Sequence, residues 1–363
     1  METSRLPQSN ADALPPPGAA AVRLLASEGS VPPLTAFRTP LPPAPNRAAS
    51  RQLSLPLLSR AAPGLDAPAL SLASCLAEAL DARWQSYSEQ LCLCRKGCSE
   101  EAVHELRVAT RRLIAQLTLL GCIVRVPALD KARRVLKRRL VALGDLRDTH
   151  VQRTFISQAS ARFPELGLLR KELERRERRL VKVAAAKVGS CKTRKLERWL
   201  DAVRGDVAAQ TRGSRGQTDL ASAVLRATAD AFAQAVQRRQ AIDLADMRTI
   251  HQTRVAFKRF RYMVESLSPD VTGLNRRDLR GLAYYQRKMG IIQDLEVLRA
   301  CVTKHVQEND GAEALLRPFE RYLRRRRARA LRSFLKTADR LFSFWPPAGL
   351  SAPGELAVTR NAA

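Results

Sequence analysis

The sequence has few aromatic residues and no long apolar run. Phe, Trp and Tyr make up 5% of the 363 residues, which argues against a platform that stacks successive bases of a single strand. No run of about 18 apolar residues occurs, so we expect no membrane-spanning helix and no membrane partner. The first ten residues also lack the apolar stretch of a secretory signal. We therefore expect a cytoplasmic protein.

Acidic residues are scarce relative to basic ones. The chain has 35 Asp and Glu against 63 Lys and Arg, a formal net charge of +28. An excess of this size predicts a polyanionic partner. The first 70 residues carry six arginines and four acidic residues, so the positive charge belongs almost entirely to the rest of the chain.

The cysteines do not form a recognisable framework. Seven are present, an odd number, and they are typical of free thiols in a reducing compartment. Cys92, Cys94 and Cys98, with His104 nearby, form the tightest group of possible metal ligands, but their spacing matches no common zinc motif. We therefore predict no bound metal and no cofactor. The sequence does not indicate an oligomeric state.

Proline and helix-forming residues divide the chain into three parts. Thirteen of the 20 prolines fall in residues 1–70, which we interpret as a disordered Pro/Ala-rich tail. Residues 346–363 form a second short tail that begins at a Pro-Pro pair. Between the tails, residues 71–345 are rich in Ala, Leu, Arg, Glu and Gln, with Gly and Pro concentrated between the helical runs, so the sequence predicts an all-α domain.

Two sequence blocks recur at nearly constant spacing. Residues 103–112 align with residues 250–259 at an offset of 147, with five identical pairs. Residues 143–148 align with residues 289–294 at an offset of 146, each block containing a glycine that we interpret as a turn. Matched blocks indicate an internal duplication. We therefore predict two pseudosymmetric antiparallel four-helix bundles, at about 71–212 and 217–345.

The first repeated block places cations along one side of a helix. At about 100° per residue, the side chains of His104, Arg107 and Arg111 share one face, opposite Leu106 and Leu113. We call these three residues the first ridge. The second ridge consists of His251, Arg254, Lys258 and Arg261. A solvated face usually mixes charges of both signs, whereas neither ridge contains a carboxylate. Pseudosymmetry would bring the ridges together as a basic central groove.

A row of cations suits a chain of closely spaced phosphates. Arginine offers a planar fork of donors to phosphate oxygens, lysine offers a point charge, and histidine can donate a hydrogen bond. Asp148 and Asp294 follow the two glycines, and each could orient a ridge side chain or help to hold a divalent cation. A single Asp per repeat makes a poor cation site, which favours the orienting role.

These motifs resemble the CHAD family of α-helical domains with recurring histidines. The similarity covers about residues 71–345 and rests on His104-x2-Arg107-x3-Arg111-Arg112, on the matching block at His251, and on the segments that begin at Gly144 and Gly290. The resemblance implies two four-helix halves around a basic cavity that binds inorganic polyphosphate, and location at polyphosphate granules for some members. The second segment departs from the pattern, with Gln293 in the place of Arg147 and Met289 in the place of leucine. The predicted polyphosphate contacts are His104, Arg107, Arg111, Arg112, Lys137, Arg138, Arg147, His251, Arg254, Lys258, Arg259, Arg261 and Lys288.

The sequence contains no pattern that predicts catalysis. It has no phosphate-binding glycine loop, no dinucleotide fingerprint, no His-Glu-x-x-His and no Gly-x-Ser-x-Gly. Phosphoryl transfer would also need carboxylates that hold Mg²⁺. We therefore predict a non-catalytic polyphosphate-binding protein. Two alternatives remain open: a nonspecific nucleic-acid-binding helical protein, and an interaction scaffold that uses its tails and arginine-rich helices.

Overall fold

The described part of the chain is helical throughout. The computed structural model describes residues 72–210, 214–267 and 269–345, and the predicted tails at 1–70 and 346–363 lie outside these ranges. The helices are α1 (Leu72–Lys96), α2 (Glu100–Leu120), α3 (Pro127–Ala142), α4 (Gly144–Ala159), α5 (Gly167–Gly189), α6 (Arg194–Gln210), α7 (Ser214–Gln240), α8 (Met247–Val264), α9 (Pro269–Thr272), α10 (Arg276–Glu308) and α11 (Ala312–Leu335). Short 3-10 helices span Pro164–Leu166 and Ala338–Ser343. No strand occurs in these ranges, which confirms the all-α prediction.

Local sequence explains where several helices begin. The Ser99 side chain accepts a hydrogen bond from the Ala102 amide and caps α2. Asn275 and Asp278 form a reciprocal capping box at the start of α10. Gly311 has φ of 78° immediately before α11, a conformation that glycine adopts without steric cost. Capping residues and glycine thus separate the helical runs, as the sequence predicts.

One predicted turn is wrong. Gly144 begins α4 after a break at Leu143, but Gly290 lies inside the uninterrupted helix α10. A single glycine costs an α-helix about 1 kcal/mol relative to alanine, which long flanking helical segments can absorb. The α3–α4 pair in the first half therefore corresponds in sequence to the single helix α10 in the second half.

Four helices contact one another in a closed ring. Helix α2 packs against α8, α8 against α10, α10 against α4, and α4 against α2. Of the remaining long helices, α1 packs on α2, α5 on α4, α7 on α8 and α11 on α10, while α3 packs on α2 and on α6. The two halves thus place their helices in the same order, with α6 additional in the first. The duplication itself stays a prediction.

In the part of the chain that the structure describes, the hydrophobic core has two clusters, and each takes residues from both halves. The larger cluster includes Leu113 and Leu117 of α2 together with Phe257 and Phe260 of α8. The smaller cluster joins α4, α5, α10 and α11 and contains Phe319. The halves are therefore packed into each other rather than standing as two separately cored bundles. Among the described helices, none combines the length and apolarity needed to cross a membrane.

Candidate polyanion-binding site

The two ridges meet where α2 packs against α8. Lys258 of the second ridge interacts electrostatically with Arg107 and Arg111 of the first, and Arg111 interacts with Arg254. We call Arg107, Arg111, Arg254 and Lys258 the central cluster. No ion pair joins these four cations to a carboxylate among the described residues, whereas Arg261 of the second ridge and the neighbouring Arg112 and Arg147 are paired. The contact between the helices therefore brings four basic side chains together, and Asp148 and Asp294 act on them electrostatically without forming an ion pair.

The pKa values of the central cluster reflect the burial and the close approach of these basic side chains. Burial, followed by the neighbouring Arg254 and Arg111, lowers the pKa of Lys258 from 10.5 to about 6. Burial is also the main cause that lowers the pKa of Arg107 to about 10, and Arg111 contributes to the same shift. Lys258 is thus mostly uncharged at neutral pH, while the arginines keep their charge. A bound polyanion would favour the protonated lysine.

Two glycines lie beside the ridge arginines. Arg107 donates from Nη1 to the carbonyl oxygen of Leu140 at 2.6 Å and passes close to Gly144, where a Cβ would lie 3.9 Å from Nη1. A Cβ at Gly290 would lie 3.6 Å from Nε and Nη2 of Arg254. Both distances are ordinary van der Waals contacts, so alanine would fit at either position, whereas a larger side chain at Gly290 would meet the Arg254 guanidinium.

Asp148 of α4 and Asp294 of α10 face the central cluster. Burial raises the pKa of both carboxyl groups, opposed mainly by Arg107 at Asp148 and by Arg254 at Asp294. Both side chains are nevertheless exposed to solvent. Side chains that reach solvent while protein atoms surround them are typical of a recessed surface. The two aspartates interact with each other, which is a further cause of the raised pKa of Asp294.

The two ridge histidines differ in their surroundings. Burial, then Arg147 and Arg111, lowers the pKa of His104 to about 4, so its imidazole is neutral at physiological pH. His251 donates from Nδ1 to Oε1 of Gln293 at 2.7 Å. Gln293 occupies the position that Arg147 has in the first half, so the exchange replaces a cation beside a histidine with a hydrogen-bond acceptor. Neither histidine is positioned by an aspartate.

A family model described as the CHAD domain matches residues 74–303, more than half of the chain. The chain belongs to the CHAD family. Its fold is similar to the crystal structure of the CHAD domain from the plant Ricinus communis, at 21% identity and a TM-score of 0.53, covering 78% of this chain and 94% of that one. It is also similar to PptA from Streptomyces chartreusis, at 18% identity and a TM-score of 0.55, covering 74% and 99%. A comparison with curated proteins finds no match.

Three residues of this CHAD domain that we predict to contact polyphosphate form ion pairs with carboxylates. Glu265 lies 3.3 Å from Arg261 and 3.9 Å from Arg112, and Glu100 lies 3.0 Å from Arg147. By helical periodicity Glu100, one turn before His104, and Glu265, one turn after Arg261, fall on the ridge faces. Each ridge face therefore ends in a carboxylate, contrary to the prediction of faces without one. Arg261 still contributes to the lowered pKa of Lys258, so it stays close to the central cluster.

Four other residues that we predict to contact polyphosphate have neighbours outside the central cluster. Arg259 donates to Gln234 on α7, at 3.4 Å. Lys288 donates to the carbonyl oxygen of Ser333 at 3.0 Å and to Thr337 Oγ1 at 2.9 Å, so it holds the end of α11. Lys137 and Arg138 line a shallow cleft between α3 and α6.

Some neighbours of the ridges carry no sequence signal. Arg83 of α1 donates to the carbonyl oxygen of Glu265 at 3.0 Å, and burial followed by Arg112 lowers its pKa. Tyr262 interacts with Arg111, and its ring lies under the Arg261 guanidinium at 4.8 Å. Both residues lie outside the ridge periodicity, so only the packing of α1 and α2 with α8 reveals them.

The cysteines form no bridge in the described part of the chain. All seven are free thiols, and Cys94 Sγ lies 3.8 Å from Cys98 Sγ. A search of the same residues finds no group of three or more His, Cys, Asp or Glu side chains arranged to hold a metal ion.

Proposed function

We propose that the chain binds inorganic polyphosphate at the central cluster without catalysing its cleavage. Related proteins of the CHAD family bind polyphosphate. The observation that carries the proposal is the meeting of Arg107 and Arg111 with Arg254 and Lys258, without ion-pair partners among the described residues. Like charges held together raise the free energy of the empty site, and a polyanion removes that repulsion on binding.

The geometry suits a linear polymer better than a single phosphate. Successive ridge cations four residues apart lie about 6 Å apart along a helix axis. Two such helices contribute donors to the same surface, so several phosphates of one chain are bound together. The fork of each arginine can bind two phosphate oxygens, which adds geometric selectivity to the charge attraction.

The same residues support binding rather than hydrolysis. Asp148 and Asp294 each face an arginine, so their charge is used to balance the cluster. Hydrolysis would need carboxylates free to hold a metal ion or to activate water. We therefore assign the two aspartates a positioning role towards Arg107 and Arg254. We also infer that binding carries the protein to cytoplasmic polyphosphate granules, which fluorescent tagging in cells with and without polyphosphate synthesis would test.

Titration with long-chain polyphosphate tests the function and the site separately. We expect submicromolar binding that weakens steeply with added salt, because phosphate neutralisation releases counterions. Arg107→Glu/Arg254→Glu should weaken binding by about 100-fold or more, since it replaces two charge-assisted contacts with repulsion. Arg324→Glu/Arg325→Glu on α11 makes the same charge change at exposed positions outside the cluster.

The possible results of this titration refute different parts of the proposal. No binding by the unmodified protein refutes the function, whereas unchanged binding by the Arg107→Glu/Arg254→Glu variant refutes the mapped site. Circular dichroism verifies that each variant folds, and Arg107→Gln/Arg254→Gln replaces the glutamate pair if it does not. Competition with duplex DNA tests the nucleic-acid alternative, because equal displacement at equal phosphate concentration would indicate a nonspecific polyanion binder.

A further inference from the structure

A second group of unpaired cations lies on the outer side of α3. Lys131, Arg134, Lys137 and Arg138 are exposed and line a shallow cleft of about 610 Å³ together with Val135 and Trp199. None of the four forms an ion pair among the described residues, whereas their neighbour Arg133 lies 3.6 Å from Asp130. This cleft contains none of the central cluster residues.

Helix α6 supplies the aromatic side of the cleft. Helix α6 packs against α3, and Trp199 is partly exposed, with one part of the indole against the larger core cluster. The ammonium of Lys195 lies 5.5 Å from the centre of its ring. Glu197 and Asp201 are two residues from Trp199 on either side, about 200° away around the helix. Glu197 and Asp201 therefore face away from the cleft, whereas Asp206 lies on the same face as Trp199 but about 10 Å farther along the helix.

The combination of residues selects the kind of ligand. Cations from Lys131 to Arg138 extend about 10 Å along the helix, enough for two or more phosphates. An indole and a valine contribute to binding only if the ligand has an apolar face, which an inorganic phosphate chain lacks. A nucleobase has such a face, and aromatic side chains stack on it without needing a particular base. The volume also falls within the range of ordinary ligand sites.

We propose that the α3–α6 cleft is a second binding site that takes an aromatic base joined to two or more phosphates. The base stacks on Trp199, and the phosphates contact Lys131, Arg134, Lys137 and Arg138. With one indole, the site holds one base, which agrees with the low aromatic content of the chain. This ligand chemistry occurs in a free nucleoside triphosphate and in a segment of single-stranded nucleic acid. The site is independent of polyphosphate binding at the central cluster.

Fluorescence anisotropy with the full chain tests the site. Labelled ATP and a labelled adenine oligonucleotide serve as separate probes, so tighter binding of one identifies the source of the ligand. Trp199→Leu should weaken binding of the responding probe by about tenfold or more, as expected for loss of one stacked base. Lys137→Glu/Arg138→Glu should weaken it without removing any core packing. The Arg324→Glu/Arg325→Glu control on α11 should bind like the unmodified protein.

Other results would overturn the proposal. It fails if neither probe binds, or if Trp199→Leu and Lys137→Glu/Arg138→Glu both leave binding unchanged. It also fails if Arg107→Glu/Arg254→Glu abolishes binding of the probe, since the probe would then occupy the central cluster. Polyphosphate titration of Trp199→Leu separates the two sites, because its polyphosphate affinity should not change.

Discussion

We predict that Lys258 makes polyphosphate binding pH-dependent above pH 6. Its pKa of about 6 leaves only about 1% of the free protein charged at this position at pH 8. A polyanion favours the ammonium form, so binding takes up a proton. The contribution of Lys258 to affinity therefore grows as pH falls from about 8.5 towards 6 and levels off below 6. The dissociation constant can change by at most about tenfold for each pH unit, because one proton is taken up.

The charged groups around Lys258 all bear on this prediction. The neighbours are Arg254 and Arg261 of α8, Arg107 and Arg111 of α2, and Asp294 of α10. The free energy of unfolding changes with pH in the opposite direction to the affinity. Between pH 6 and 10.5 the Lys258 amine is protonated in the unfolded chain and mostly neutral in the folded one. The free protein thus loses stability as pH falls through that window, and polyphosphate offsets the loss.

Lys258→Arg isolates the effect, because arginine stays charged throughout. Calorimetric titrations between pH 6.5 and 8.5, with long chains that minimise the share of terminal phosphates, measure the slope. We expect tighter binding at pH 8.5 and a flatter pH profile for the variant. The matched control is Lys304→Arg, an exposed lysine of α10 paired with Glu308. A flat profile in the unmodified protein, or an unchanged slope in Lys258→Arg, would refute this reasoning.

Three further predictions concern the supports of the site. Phe257 is fully buried against other aromatic rings, so Phe257→Ala should lower the free energy of unfolding by about 3–5 kcal/mol in chemical denaturation. Gly290→Ala should raise stability by up to about 1 kcal/mol with affinity retained, whereas Gly290→Leu should displace Arg254 and weaken polyphosphate titrations. Glu265→Gln removes the carboxylate beside Arg261 and should strengthen binding at low salt by up to about fivefold.

Each of these has a result that would contradict it. A small stability change in Phe257→Ala would show that its aromatic neighbours refill the space. Equal affinity of the Ala and Leu variants at Gly290 would show that the Arg254 position does not depend on this glycine. Weaker binding by Glu265→Gln would show that the carboxylate positions its arginines more than it neutralises them.

Helical periodicity predicts what lies on one face of one helix, and here it is reliable. Arg107 and Arg111 point the same way because four residues make nearly a full turn. Arg112 and Arg259 lie away from the central cluster for the same reason. Each follows a ridge residue by about 100°, which turns Arg112 towards Glu265 and Arg259 towards Gln234.

Contacts between distant segments are beyond such local reasoning. Lys288 holds the end of α11, 45 residues away in sequence, and Gln293 holds His251 across 42 residues. Neither pairing follows from spacing, because it depends on how α10 packs against its neighbours. The lowered pKa of Lys258 likewise requires cations from two helices at once. The sequence predicts the two ridges, whereas the packing of α2 against α8 determines which ridge residues lie close together.

The central claim is that one phosphate chain contacts both ridges. A crystal structure of the protein with a short polyphosphate tests it most directly. We expect continuous phosphate density within hydrogen-bond distance of Arg107 and Arg111 on α2 and of Arg254 and Lys258 on α8. Density confined to the arginines of α11, or to the α3–α6 cleft, with the ridges empty, would contradict it.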